Sequence, residues 1–443
     1  MANAIGIRRE DKYEWERRAP LTPTHIARLI RESGLEVYVQ PSALRVFPDE
    51  AYREAGAVVQ DDLSPCSVIV GVKEMPSGFF ESGKTYFFFS HTIKGQPYNM
   101  PMLKRMMETG CQLIEYEKIT DDQGRRLVLF GRHAGLAGMI ESLHALGQRL
   151  TAEGMEEAKN PFVGIKQPYQ YRDLEEARAS LQNIGAGLSR DGLPAFLAPL
   201  IVGFLGYGNV SRGAQEILDC LPVIELQPEM LFDLEKYAPS GKSVYKVVFE
   251  EKDTVVAADG SSSFSLEHYR QHPEAYRAAF SRYLPYLTVL INGIYWDERY
   301  PALVSADDVK NLYAGRQPPA LRVIGDITCD LEGSIAITRK ATLPDQPCYV
   351  YDPMSNTIQD GVDNLRGPVV MAVDILPTEF PAEASAAFGD ALLPFLPAVA
   401  AADSGENFRD WNLPEPIKRA VILHRGKLTE HYSYLAKHLG RGL

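Results

Sequence analysis

The stretch IVGFLGYGNVSRGAQEIL, residues 201–218, joins an apolar segment to an amphipathic one through a glycine-rich turn. The apolar half predicts a buried strand, and the pattern after it predicts a helix. Gly206 permits a tight turn, Gly208 lets a phosphate approach the backbone, and the helix N-terminus offers free N–H groups. Ser211 stands where the dinucleotide-binding fingerprint has its third glycine. The stretch predicts the nucleotide-binding turn of a Rossmann-type domain; the alternative is an ordinary glycine turn between strand and helix.

Residues near the end of the second predicted strand, 223–228, would contact the ribose of the cofactor. An acidic residue about 20 positions after the first glycine would bind the ribose 2′-OH and favour NAD. Glu225 lies near that position, but neutral Gln227 does too. If Gln227 ends the strand, the acidic block against a 2′-phosphate is missing and Arg212 is able to contact that phosphate; a solvated Arg212 is the alternative. We expect NADP, with NAD second. The cofactor candidates here are Gly206, Gly208, Asn209, Val210, Ser211, Arg212, Glu225 and Gln227.

Short apolar runs alternate with helix-like segments on both sides of this turn, which is typical of parallel α/β sheets. The predicted strands are 4–10, 36–40, 67–73, 85–90, 111–117, 198–206, 223–228, 287–292, 321–327 and 369–373. The predicted helices are 22–34, 102–110, 133–154, 174–189, 384–402 and 416–439. The sequence therefore predicts an α/β protein with two Rossmann-like domains and parallel sheets.

Charged side chains follow several of the predicted strands in the first region, where the carboxyl ends of parallel strands would meet at a ligand-binding edge. Arginines pair bidentately with carboxylates, and a lysine with a histidine is able to exchange protons near neutral pH. The alternative for each residue is a solvated surface charge. These side chains are Lys73, His91, Lys94 and Glu117 at strand ends, with Arg18 and Arg126 in loops.

The composition of the 443-residue chain narrows the class of protein. A net charge of −12 argues against a nucleic-acid or anionic-membrane surface. The five cysteines include no CxxC pair, so we expect free thiols, and no metal-ligand cluster is visible. The N-terminus has no apolar signal segment, and the apolar stretch from Ala195 to Tyr207 is too short to cross a bilayer. We expect a cytoplasmic protein without nucleic-acid, membrane or metal partners.

Eight motifs in the same order along the chain resemble one known family. They are RREDKYEWERRAPLTPTHI, VIVGVKEMP, FFFSHTIKGQ, YEK, GNVSRGAQEI, LINGIYW, GDITCDLEGSI and LPTEFPAEASAAFGD. With them the chain resembles the lysine–2-oxoglutarate reductase half of the bifunctional lysine-degrading enzymes of animals and plants. It is similar, more distantly, to fungal L-lysine-forming saccharopine dehydrogenase and to alanine dehydrogenase.

The resemblance implies a two-domain enzyme with its active site in the cleft between domains. Residues 1–190 with 376–443 would form the substrate domain, and residues 191–375 the dinucleotide-binding domain. Lys73 and His91 match the family's acid–base pair. Arg18 and Arg126 match substrate-binding residues, Glu117 matches an acidic residue that tunes the pair, and Asp326 matches an aspartate near the nicotinamide end. Beyond these matches, Lys94 and Glu117 are candidates for substrate binding and Asn292 for cofactor binding; a plain loop position is the alternative for Lys94.

The reaction implied by the resemblance is the NADPH- or NADH-dependent condensation of L-lysine with 2-oxoglutarate to saccharopine, and its reverse. Because the chain ends at residue 443, a separate glutamate-forming saccharopine dehydrogenase is expected to process the product. A homo-oligomer stays open. Two alternatives also stay open: a related reaction on another amine and keto acid, or a nucleotide-binding regulator without catalysis.

Overall fold

Two compact units make up the chain in the structure, a computed structural model. The first unit combines the described residues up to Phe130 with those from Pro381 onward, and the second runs from Gly131 to Phe380. Each contains an eight-stranded, mainly parallel sheet, which confirms the predicted α/β class with two Rossmann-like domains. The structure describes residues 4–237, 239–260, 264–315, 318–405 and 407–440.

The first unit is built on a sheet whose parallel strands share one carboxyl edge. Numbered along the whole chain, its strands are β1 (Ala4–Ile7), β2 (Glu36–Val39), β3 (Val58–Val59), β4 (Val68–Val70), β5 (Thr85–Phe88), β6 (Gln112–Glu115), β17 (Val421–His424) and β18 (Lys427–Leu428). Its helices are α1 (Pro23–Ser33), α2 (Asp49–Glu54), α3 (Met100–Thr109), α10 (Pro381–Leu392), α11 (Leu396–Ala401), α12 (Glu415–Arg419) and α13 (Ala436–Leu439). The sheet order is β18-β17-β6-β5-β4-β1-β2-β3, in which β17 runs opposite to the other strands and pairs antiparallel with both β6 and β18.

Local sequence explains the regular elements of this unit. Every residue of β4 and β5 is buried, as expected for parallel strands covered on both faces. Helix α1 begins after Thr22, whose side chain accepts the His25 N–H, and ends at Gly34 in the left-handed conformation. The parallel pairing of β1, β4, β5 and β6 then places their carboxyl ends at one edge of the sheet.

The prediction of a helix over 416–439 is wrong in its central part. Residues 421–424 form the buried strand β17, which pairs with β6 and turns into β18. Arg425 and Gly426 make that turn with positive φ angles of 49° and 73°. The apolar run is too short for its periodicity to separate a strand from a helix, and only pairing with β6 decides.

The second unit contains the glycine-rich turn. Its strands are β7 (Leu200–Leu205), β8 (Val223–Leu226), β9 (Val244–Phe249), β10 (Val255–Ala257), β11 (Tyr276–Ala278), β12 (Val289–Asn292), β13 (Val323–Asp326), β14 (Cys348–Asp352), β15 (Thr357–Asp360) and β16 (Val369–Met371). Its helices are α4 (Gly131–Ala152), α5 (Leu174–Asp191), α6 (Asn209–Leu218), α7 (Glu251–Thr254), α8 (Leu266–Gln271) and α9 (Ala306–Tyr313). The sheet order is β15-β14-β16-β13-β12-β7-β9-β8, in which β14 runs opposite to the other strands, and β10 pairs with β11 separately.

The boundary between the units falls earlier than the predicted boundary at residue 190. Helix α4 lies against α6 of the second unit, and glycines make this approach possible. A Cβ at Gly135 would overlap the carbonyl of Val210, and one at Gly213 would overlap the carbonyl of Arg132. Residues from Gly131 onward therefore pack with the glycine-rich turn. The assignment of a substrate or cofactor role to each domain stays a prediction.

The structure also shows the state of the cysteines and one long apolar helical run. All five cysteines carry free thiols. Among the described residues, one helical run, Pro381–Ala401, has the length and apolar character of a membrane span, and half of it is buried inside the structure. Because core helices of soluble proteins meet the same criteria, this run is weak evidence for a membrane span.

Candidate active site

The carboxyl edge of the first sheet gathers several predicted site residues. Lys73 follows β4, His91 follows β5, and Glu115 ends β6. The parallel register pairs Val70 with Phe87 on the neighbouring strand, which aligns these strand ends. The structure therefore brings Lys73 and His91 to the same edge of one sheet.

Lys73 sits on a backbone segment anchored by a buried carboxylate. The amides of Val72 and Lys73 donate to the two oxygens of Glu10 at 2.7 and 2.9 Å. Burial lowers the pKa of the Lys73 ammonium, and the charge of Arg18 lowers it further. Within the described ranges, no hydrogen-bond partner reaches its Nζ. A lysine in this state is able to accept and return a proton closer to neutral pH.

His91 is oriented by a carboxylate on the neighbouring strand end. Its Nδ1 lies 2.7 Å from Oε1 of Glu74, whose other oxygen accepts a hydrogen bond from Lys12 at 2.7 Å. Burial acts to raise the pKa of Glu74, but the bonds from His91 and Lys12 lower it to about 2. An ionised carboxylate only accepts, so Nδ1 carries the proton and donates it to Glu74. The other ring nitrogen, Nε2, is left for proton transfer.

Arg18 is buried beside this pair, and its guanidinium is already held on one side. Its Nε and Nη2 donate to Glu16 at 2.7 and 2.5 Å, and it lies 4.2 Å from the ring centroid of Phe130. Burial acts to lower the pKa of Arg18, and the charge and hydrogen bonds of Glu16 raise it. Because Glu16 occupies two of the three guanidinium nitrogens, Nη1 is the nitrogen left for another anion.

The remaining predicted substrate residues lie further into solvent. Arg126 is exposed and donates to Glu117 at 3.3 Å, and Lys94 is exposed in the loop after His91. The structure does not join Lys94 or Arg126 to the buried cluster. It does bring the buried Glu115 close enough for its charge to interact with that of His91.

Glu115 is the buried acid that sequence reasoning missed in favour of Glu117. It accepts hydrogen bonds from the Ser90 amide at 2.8 Å and the Ser90 hydroxyl at 2.5 Å. Burial raises its pKa to about 7, against those hydrogen bonds. The sequence contains one sign of this burial, because Glu115 is a charged residue in the otherwise apolar run LIE.

Three more acidic residues at this sheet edge were missed in the sequence, because there they look like ordinary surface charges. They lie in charge-rich segments whose composition alone predicts exposure. Burial, together with the charge of Glu16, raises the pKa of Glu10 to about 7, whereas Glu74 stays ionised. The three residues are Glu10, Glu16 and Glu74.

The glycine-rich turn of the second unit has the geometry that a pyrophosphate requires. Gly206 has a φ of +86°, and a Cβ there would lie 2.8 Å from Ile294. A Cβ on Gly208 would have no neighbour within 4 Å, so that side of the turn is open to a ligand. Helix α6 starts at Asn209 without a side-chain cap, which leaves its first N–H groups free.

The predicted residues after Gly208 occupy the first turn of α6. Val210 and the buried Ser211 face the protein, whereas Asn209 and Arg212 are exposed. A cavity of about 320 Å³ opens beside the turn. The open cradle, the free N–H groups and this cavity fit a dinucleotide.

Asn292 and Asp326 end the adjacent strands β12 and β13 and form a buried network. Asn292 donates to Asp326 at 2.8 Å and to Ser334 at 2.9 Å, and the Thr338 hydroxyl donates to Asp326 at 2.5 Å. Burial raises the pKa of Asp326 to about 6 despite these bonds. The buried Oδ1 of Asn292 has no partner in the described part of the chain. Since Asn292 pairs with Leu205, the network adjoins the glycine-rich turn.

The two candidate ribose residues lie at the outer edge of the sheet. Strand β9 separates β8 from β7. Glu225 is exposed and pairs with Lys246 at 3.4 Å, and Gln227 is exposed after β8. The strand next to β7 and its glycine-rich turn is β9. Counting about 20 residues from the first glycine led to β8 instead.

Comparisons with known proteins agree with this architecture. Residues 6–137 match the family model described as "Alanine dehydrogenase/PNT, N-terminal domain". An L-alanine dehydrogenase structure superposes over 98% of this chain and 99% of its own, with a TM-score of 0.59 at 19% identity. A transhydrogenase from Sinorhizobium meliloti does so over 96% and 98%, with a TM-score of 0.52 at 14% identity. The chain therefore shares its fold with a class of two-domain α/β proteins that includes these two structures.

Within that class, the sequence relatives are more specific. The chain is 40% identical to "Alpha-aminoadipic semialdehyde synthase" of Arabidopsis thaliana, over 98% of this chain and 41% of the relative. It is 36% identical to the Mus musculus protein, over 98% and 47%. "Saccharopine dehydrogenase [NAD(+), L-lysine-forming]" of Emericella nidulans is 26% identical over 94% and 96%.

The chain is a homologue of the alpha-aminoadipic semialdehyde synthases and, more distantly, of the saccharopine dehydrogenases. This confirms the resemblance seen in the motifs. The chain spans less than half the length of the Arabidopsis thaliana and Mus musculus proteins.

Proposed function

We propose that this protein is a nicotinamide-dependent oxidoreductase that condenses L-lysine with 2-oxoglutarate to saccharopine and catalyses the reverse reaction. The observation that carries the proposal is the grouping of Lys73, the His91–Glu74 pair and the buried Arg18 at one sheet edge. The names of the relatives, an aminoadipic semialdehyde synthase and an L-lysine-forming saccharopine dehydrogenase, support the substrate class.

The reaction needs one group that takes a proton and one that gives it. The ε-amine of lysine must be neutral to attack the keto carbon, and the carbonyl oxygen must be protonated to leave as water when the imine forms. A Lys73 of lowered pKa suits the first task. The imidazolium form of His91, which carries a proton on Nε2 as well as on Nδ1, suits the second and becomes neutral when it gives the Nε2 proton. Glu74 stays ionised above its pKa of about 2, so it orients His91 throughout the working range of pH.

Carboxylate recognition and cofactor binding fall to other residues in the proposal. The Nη1 of Arg18 would bind a substrate carboxylate, since Glu16 fixes the guanidinium plane. The Gly206–Gly208 turn and the first N–H groups of α6 would bind the pyrophosphate. A bound nicotinamide dinucleotide supplies the hydride that reduces the imine.

The test is reduced-cofactor oxidation that depends on both lysine and 2-oxoglutarate. We expect Lys73→Met and His91→Gln each to lower kcat/KM by about 10² to 10⁴-fold, the usual contribution of a positioned acid or base. Lys104→Met and His431→Gln, at exposed positions outside the cluster, are the matched controls and should keep full turnover.

Two results would count against the proposal. Full turnover in both Lys73→Met and His91→Gln would remove the assigned acid–base pair. Nucleotide binding by the wild-type protein, without turnover on any pair of amine and keto acid, would favour a non-catalytic regulator. Turnover with a different pair only would keep the reaction class and replace the substrates.

A further inference from the structure

We propose that Glu251, at the carboxyl end of β9, binds the adenosine ribose and makes the protein prefer NADH to NADPH. The proposal rests on the proposed dinucleotide site and deepens it, because it names the cofactor that the site selects. It replaces the expectation of NADP that followed from Gln227 and Arg212 in the sequence.

The sheet topology identifies the strand that bears the ribose contact. In a Rossmann-type domain, the ribose lies against the end of the strand adjacent to the glycine-rich one. Here that strand is β9, and Leu205 pairs with Phe249 at its last position. The Gly206 amide also donates to the Phe249 carbonyl at 3.1 Å. The residues that follow Phe249 are therefore fixed beside the phosphate-binding turn.

Glu251 has the position and the free acceptor capacity that a ribose diol needs. It lines the cavity of about 320 Å³ together with Gly206, Tyr207 and Gly208. The Tyr207 hydroxyl lies 3.1 and 3.4 Å from its two oxygens, which ties the carboxylate to the turn. A carboxylate has room for about four hydrogen bonds, so Glu251 is still able to accept from both ribose hydroxyls.

Its neighbour Glu250 is less available, because it has partners of its own. Its backbone amide donates to the Asp253 carboxylate at 2.9 Å, and its own exposed carboxylate pairs with Lys252 at 2.8 Å. The same contact pairs the Lys252 ammonium with a carboxylate, so a 2′-phosphate would have to compete with Glu250 for it. Of the two glutamates, Glu251 is therefore the one assigned to the ribose.

The charges around the ribose position disfavour a 2′-phosphate. Two exposed cations, Arg212 and Lys252, line a recess that also holds four carboxylates. Arg270 lines the cavity itself, but it shares that cavity with both Glu250 and Glu251. Like charges in one site cost free energy, so a phosphate dianion would be repelled where a neutral ribose is accepted. The four carboxylates of the recess belong to Glu225, Glu229, Glu250 and Asp253.

The experiment measures the binding of NADH and NADPH to the full chain by fluorescence titration, without either substrate. We expect the wild-type protein to bind NADH at least about tenfold more tightly than NADPH, the effect of one charge-assisted hydrogen bond. Glu251→Gln should weaken NADH binding and reduce that ratio severalfold. Tyr207→Phe should reduce it less, since it removes only the hydroxyl that orients Glu251. The exposed Glu157→Gln is the matched control and should keep the wild-type ratio.

Because the titration uses no substrate, the ratio of NADH affinity to NADPH affinity is measurable even if the protein shows no lysine-dependent turnover. The outcome of this test is therefore independent of the proposed reaction. A wild-type preference for NADPH would overturn the inference. So would a ratio in Glu251→Gln equal to that of the wild type, with thermal unfolding confirming that the variant is folded. A change of ratio in Gln227→Glu as large as that in Glu251→Gln would move the ribose to β8 and overturn it too.

Discussion

Arg18 and Glu16 form an ion pair that is almost fully withdrawn from water. Their side chains are 3% and 0% exposed, and two nitrogens of the guanidinium are bonded to the carboxylate. Such a pair contributes little net stability, because desolvation of both charges offsets their attraction, but removing one partner is costly. The pair therefore fixes the plane of the Arg18 guanidinium, which under the proposed function would bind a substrate carboxylate.

A substitution that removes only the anion should unfold the first unit more easily. We expect Glu16→Leu to lower the free energy of unfolding by about 3–5 kcal/mol, since it leaves Arg18 buried and unpaired. The double variant Glu16→Leu/Arg18→Met should regain most of that loss. Urea denaturation followed by circular dichroism measures both.

The matched control is Glu32→Gln, which breaks an exposed pair with Arg28 and should not change stability measurably. If Glu16→Leu is as stable as the wild type, or the double variant is no better than the single one, the burial argument for this pair is wrong.

At the scale of elements, the crossing of α4 over α6 links the fold to the nucleotide site. Helix α6 begins at the glycine-rich turn, so its position sets where the free N–H groups lie. The close approach depends on Gly135, where a Cβ would overlap the Val210 carbonyl in the first turn of α6. A side chain there would have to push the two helices apart.

Gly135→Ala should therefore affect both stability and cofactor binding. We expect a loss of about 1–3 kcal/mol from overpacking, and weaker binding of NADH because the first turn of α6 is displaced. Thermal unfolding and NADH titration check the two effects.

Gly187→Ala in α5 is the matched control for this substitution. A Cβ there has no neighbour closer than 3.9 Å, so the change should leave NADH binding intact and favour the helix slightly. If Gly135→Ala is less stable than the wild type but binds NADH equally well, the crossing of α4 over α6 supports the fold and not the cofactor site.

On the scale of the whole molecule, the first unit is assembled from two distant parts of the chain. Strand β17 from the second part pairs with β6, and Tyr434 donates to the carbonyl of Ile93 at 2.7 Å in the loop after His91. The second unit is continuous from Gly131 to Phe380. The C-terminal segment is therefore a structural part of the edge that carries His91.

A chain that ends at Phe380 should lose the first unit and keep the second. Without β17 and β18, the β6 edge is exposed and the core of the first unit loses its C-terminal helices. Hydrogen exchange with mass spectrometry should show lost protection in β4–β6 and retained protection in β7 and β12. A chain ending at Gly440 keeps all named elements and is the control. Protected β4–β6 in the shorter chain would contradict the prediction.

The sequence predicted the strands of the two parallel sheets best where they were long, apolar and bounded by turn signals. It missed β9, because VYKVVF carries a lysine and lies after a segment without regular pattern, and it misread β17 as helix. In the site, Lys73 and His91 were found from their places after apolar strands. Glu10, Glu16 and Glu74 were not, because burial of a charge cannot be seen in composition.

The sequence by itself determined the class of this protein, the glycine-rich turn and the strand ends that carry Lys73 and His91. These depend on local chemistry: apolar periodicity, glycine dihedrals and helix caps act over a few residues. Only the tertiary structure decided that β9 adjoins β7, that Glu16 holds Arg18, and that Glu251 lies beside the turn. Strand order and ion pairing depend on which distant segments share a core, and no short-range pattern records that choice.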